Sequence, residues 1–167
     1  MAFAFSPQSW GSILISQVCI MAKSCYEYAM DILARYPKTE KELRIKMYQH
    51  GYDSEMVQKT LQKLKTENFL NDELFAESYL HSEVVKKGKP LLLVMQKLEL
   101  KGIEKSLLQK LAKEHSEDIA EGIHQRIAKE IQLYKKKWVD GFEIIQKLMR
   151  KGYRLADIKS VIKPQDD

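Results

Sequence analysis

Lys46, Lys97 and Lys147 stand 51 and 50 residues apart in this 167-residue chain. Each is followed four residues later by another basic side chain: His50, Lys101 and Lys151. On a helix, an i, i+4 pair lies on one flank. A row of such pairs makes no covalent chemistry. It can grip an extended anion, either a nucleic acid backbone or an acidic groove on a protein. Lys86, Lys87, Lys89 and Arg150 extend the charge, as does the run Lys135 to Lys137. The placement also has a plain structural cause, because cations near a helix C-terminus complement the macrodipole.

Residues suited to bond-making are not arranged for it. "KKGKP" holds a single glycine in a basic turn and is no phosphate loop. No Ser/His/Asp order suggests a triad. The acidic pairs Asp72–Glu73 and Glu117–Asp118 fall where helices begin, which is what the dipole favours. His50, His81, His115 and His124 share no ligand-like spacing with one another or with Cys19 and Cys25, so neither a metal nor a cofactor is expected. The cysteines read as reduced thiols of a cytosolic protein. Tyr26, Tyr28, Tyr36, Tyr48 and Tyr52 read as packing residues at helical spacing. The chain reads as a binding protein rather than an enzyme.

The elements that carry these residues recur with them. Gly51, Gly102 and Gly152 occupy the same register. Aliphatic residues stand eight before each (Leu43, Val94, Ile144) and six after (Val57, Leu108, Ile158). Met47, Leu98 and Leu148 stand four before. These spacings are helical, and the glycine between suits a left-handed cap. A further helix precedes each pair: "KSCYEYAMDILARY", "NDELFAESYLHSEVVKK" and "SEDIAEGIHQRIAKEIQLYKKK". Thr39 with Glu42 forms a capping-box pattern, and Asn71 precedes two acids. Only 7 Gly and 4 Pro disfavour a turn-rich β fold. The expectation is an all-α chain of three tandem three-helix repeats, 23–66, 67–116 and 117–163, stacked into an elongated curved array with a tail at 164–167.

Residues 1–22 carry no charged side chain. They lack the basic leader of a signal peptide, and "SILISQVCIMA" is too short to span a bilayer, so a loose or non-native extension is expected. The net charge of +5 permits an anionic partner without naming one. A cytoplasmic monomer with no membrane attachment fits this composition.

The stretch "ARYPKTEKELRIKMYQHGYDSEMVQKTLQKLKTENFLNDELFAESYL" resembles the RecX family of bacterial recombinase regulators. Arg35, Pro37, Thr39, Glu42–Leu43, Gly51–Tyr52, Leu61, Leu64 and Asn71 to Ala76 carry the likeness, and "KLELKGI" continues it. His81, Ser82 and Glu83, and later Leu91 to Leu93, depart from the family's basic pattern. The resemblance implies three three-helix repeats and no catalysis. It implies a protein that binds RecA, lies along the groove of the RecA–DNA filament and limits its recombinase, ATPase and coprotease activities. Lys46, Lys86, Lys87, Lys89, Lys97, Lys101, Lys147, Arg150 and Lys151 are the expected contact residues, with weak DNA contact through the same charges. A module that binds nucleic acid directly is the alternative. Against it, no repeat carries the Arg/Asn/Gln cluster of a base-reading helix.

Overall fold

The computed structural model describes residues 23–162. Among these the chain is all-α: α1 (Cys25–Arg35), α2 (Glu40–His50), α3 (Ser54–Thr66), α4 (Asp72–Leu80), α5 (Leu91–Leu100), α6 (Lys105–Glu114), α7 (Ser116–Lys135), α8 (Gly141–Arg150) and α9 (Leu155–Ile162). A π-helical segment, His81–Lys86, prolongs α4. The extension read at 1–22 and the tail at 164–167 lie outside the described residues. We take α1–α3, α4–α6 and α7–α9 as the three repeats.

Local signals set the helix ends. Gly51, Gly102 and Gly152 adopt φ of 100°, 95° and 95°, the left-handed region that a Cβ disfavours. Thr39 caps α2 by accepting the Glu42 amide at 3.3 Å. Asn71 caps α4 through the Leu74 amide at 3.0 Å. Ser24 and Glu27 form a full capping box on α1 that the sequence pattern had not flagged. Only His115 separates α6 from α7, and Glu117 and Asp118 occupy the first turn of α7. Tyr26, Tyr28 and Tyr52 pack against the first core, whereas Tyr36 and Tyr48 stay exposed.

The buried side chains form two separate clusters. Ala29, Leu43, Met47, Val57, Leu61 and Leu64 make the core of α1–α3, with the free thiol of Cys25 beside Met47. A larger core runs unbroken through α4–α9, from Ala76 and Leu80 to Leu148 and Ile158. The second and third repeats are thus fused. Gly122 lets α7 lie directly on the π segment, since a Cβ there would strike the carbonyl oxygen of Val85. The Tyr153 hydroxyl closes the same seam by donating to the Gly88 carbonyl at 2.9 Å.

The first repeat joins the second through polar contacts. The buried Thr39 hydroxyl donates to the Lys101 carbonyl at 2.7 Å, 62 residues away, and Lys41 Nζ donates to the Leu100 carbonyl at 3.1 Å. Both carbonyls lie at the C-terminal end of α5, where helical acceptors lack internal partners. The Lys101 ammonium bonds Glu42, and the Glu40 amide donates to Asp72 at 2.9 Å.

Candidate partner-binding surface

The nine expected contact residues fall into two groups. Lys46, Lys86, Lys97 and Arg150 are exposed and make no ion pair among the described residues. Arg150 only back-bonds to the Gln146 carbonyl at 3.4 Å. The other five are paired with carboxylates of the same chain, four of them with partly or fully buried ones. Lys87 and Lys89 both bond Glu83, which sits on the π segment. Lys101 bonds Glu42 across the joint between repeats. Lys147 pairs with Glu143 at 2.8 Å, and Lys151 with Glu130 at 2.7 Å.

These pairs have clear electrostatic signatures. Lys87 and Lys89 hold the Glu83 carboxyl below its usual range. Lys151, aided by Arg126, does the same for Glu130 against the opposing effect of burial. Reciprocally, Glu130 and then Tyr134 raise the Lys151 ammonium. Burial would push Glu42 up, but Lys101 and Lys38 outweigh it and hold the carboxyl low. One Glu42 oxygen, Oε2, is buried without a hydrogen-bond partner. These carboxylates anchor Lys87, Lys89, Lys101 and Lys151, so those four lysines brace the array as well as charge its surface, whereas Lys147 and the half-exposed Glu143 form a surface pair within α8.

Two clefts gather cations. The first, about 550 Å³, lies in the first repeat and brings Lys46 together with Lys23, Arg35 and Lys38. Tyr36 and His50 share it, and the one acid there, Asp31, is bonded to Lys23. The second, about 200 Å³, lies where the π segment crosses α7. Lys86 and Lys87 face Arg126 and Lys129 there, with no carboxylate in the lining. Arg35, Lys38, Arg126 and Lys129 were missed by sequence reasoning because none stands in the glycine register. The signal available for the last two was Gly122, an unexplained glycine inside a helix, four and seven residues earlier. Among the described residues there is no group of side chains able to hold a metal ion, and no helix long and apolar enough to cross a membrane.

A surface of braced lysines and basic clefts on tandem three-helix units can be compared with known proteins. Residues 25–64 match the family described as RecX, first three-helix domain. The similarity continues beyond it. The regulatory protein RecX of Clostridium perfringens (strain SM101 / Type A) is 32% identical over 144 residues, covering 83% of this chain and 67% of the relative. The chain belongs to the RecX family. The Clostridium beijerinckii protein is 33% identical over 147 residues, with the same two coverages. Relatives in this family are named regulatory proteins, not enzymes. The fold agrees with solved RecX structures. That of RecX from Lactobacillus salivarius superposes with a TM-score of 0.70 at 21% identity, over 83% of this chain and 92% of that one. A second RecX crystal structure gives 0.68 at 22% identity, over 82% and 69%.

Proposed function

We propose that this protein binds the RecA filament on DNA, lies along its groove, and restrains its recombinase, ATPase and coprotease activities. The observation that carries the reading is family membership over 83% of the chain, well beyond the first three-helix domain. A tandem array suits an extended partner, because each added repeat lengthens one surface. The basic clefts of the first repeat and of the α7 crossing offer two grips on an acidic groove. Lys46, Lys86, Lys97 and Arg150 supply charge that internal carboxylates do not offset. Lys87, Lys89, Lys101 and Lys151 add to the field while bracing the array, and Lys147 adds to it from the surface of α8. The protein acts as a monomer in the cytoplasm, with RecA as its partner and DNA as a minor contact.

The test is ATP turnover by RecA on single-stranded DNA. Purified protein at stoichiometric amounts should lower it. The K46E/K97E/K147E variant should fold normally and inhibit less at low salt, because exposed charges act mainly on association rate and salt dependence. Unchanged turnover with the parent protein contradicts the reading. Equal inhibition by parent and variant removes those lysines from the contact.

A further inference from the structure

Five helices of the described chain close with one and the same turn. The residue after the turn donates its amide five residues back: Tyr52 to Met47, Phe69 to Leu64, Ile103 to Leu98, Val139 to Tyr134 and Tyr153 to Leu148, at 2.9–3.3 Å. The left-handed residues that make these turns are Gly51, Asn68, Gly102, Trp138 and Gly152. Glycine has no Cβ to clash, and asparagine tolerates this conformation better than most side chains. Tryptophan at φ 59° is the exception. A bulky aromatic there strains the backbone.

Packing does not compensate that strain, because Trp138 is 96% exposed. The indole projects from the end of α7 directly after Lys135, Lys136 and Lys137, all exposed. Phe142, the second residue of α8, is 69% exposed. Lys147 and Lys151 converge behind the turn, 5.5 and 5.3 Å from the Tyr134 ring. The neighbouring acids are engaged elsewhere. Asp140 caps α8 through the Phe142 amide at 3.0 Å, Glu143 pairs with Lys147, and Glu130 with Lys151. What faces solvent is an aromatic side chain that directly follows three exposed lysines in the chain.

We propose that the turn between α7 and α8 is a contact for single-stranded nucleic acid, in which the Trp138 indole stacks on an unpaired base while Lys135, Lys136 and Lys137 hold flanking phosphates. Stacking on an exposed aromatic beside a basic track is how proteins hold single strands without reading sequence. A duplex keeps its bases stacked on one another and offers the indole no free face. An acidic protein groove would use the lysines and leave the strained aromatic unexplained. A membrane surface would need a broader apolar face than one indole and one phenyl ring. The contact is independent of the RecA reading, since it requires no RecA.

The chain has two tryptophans, Trp10 and Trp138, so W10F leaves Trp138 as the sole indole reporter. Titrating W10F at low salt with a short oligothymidylate should quench its emission saturably, and K135E/K136E/K137E should abolish the quenching. Anisotropy of a labelled oligothymidylate should show W138G binding about tenfold more weakly and W138F close to the parent. W138G should melt no lower than the parent, because glycine relieves the strained turn. The proposal is overturned if the oligothymidylate does not quench, or if W138G binds as tightly as the parent. It is equally overturned if W138G melts lower, if a duplex quenches as strongly, or if phosphatidylglycerol vesicles quench where the oligothymidylate does not.

Discussion

Gly51 and Gly102 share one backbone conformation but stand in different surroundings. A Cβ at Gly51 would meet nothing within 4 Å, whereas one at Gly102 would come 2.7 Å from Lys41 Cβ at the joint between repeats. G51A should therefore cost only the left-handed penalty, about 1 kcal/mol. G102A adds a steric term and should cost about 3 kcal/mol. Urea denaturation of both variants checks this, and equal losses would mean that the joint yields freely at Lys41. The three glycine turns were legible in the sequence because glycine at a fixed period is a direct mark of a left-handed residue. The same turn at Asn68 and Trp138 was not, since both lie outside the glycine period, asparagine marks such a turn only weakly and tryptophan not at all. Gly122 was overlooked for the opposite reason. Inside a helix, a glycine reveals a close approach only once the crossing segment is known, and that segment lies more than 30 residues earlier. At Gly122 a Cβ would strike backbone rather than a flexible side chain, so G122A should cost about 3 kcal/mol, measured in the same way.

At the scale of elements, Lys87, Lys89, Lys101 and Lys151 turn out to be braces. The glycine period located only Lys101 and Lys151 of these, and their carboxylate partners lie 59 and 21 residues away and follow no period, so that pairing was not legible. Thr39 shows the same limit. It was readable as a helix cap, yet it is buried and also holds the end of α5. These pairs make stability depend on pH. Glu42, Glu83 and Glu130 have folded pKa values below the ordinary carboxyl value of 4.5. Such groups contribute stability that is fully present above the unfolded pKa and is lost as pH falls through the folded one. Asp72 is raised, chiefly by burial, and works in the opposite sense over the same range. These three lowered groups, with Glu27 and Asp31 lowered as well, outweigh the one raised and predict a net loss of stability as pH drops from about 5 toward 3. E42Q should flatten that profile by removing one of the three, as read by urea midpoints across the pH series. A profile unchanged by E42Q would show that the Glu42–Lys101 bond does not couple to folding.

For the molecule as a whole, the consequential feature is the uneven joining of repeats. All-α tandem architecture followed from helical spacing around the glycines, and the fold agrees with it. The sequence period treats the two junctions alike. The structure does not: α4–α9 share one apolar core, while α1–α3 keep their own and meet α4–α6 through hydrogen bonds and ion pairs. Units joined without shared apolar burial open separately. Hydrogen exchange should therefore show α1–α3 exchanging as one unit and α4–α9 as another, and a single exchange rate across both would contradict the division. The central claim concerns the partner, and co-sedimentation with RecA filaments assembled on single-stranded DNA with a non-hydrolysable ATP analogue tests it most directly. The protein should pellet with the filaments at low salt, saturate at a fixed ratio to RecA, and be released as salt rises. Protein left wholly in the supernatant with intact filaments present would contradict the account.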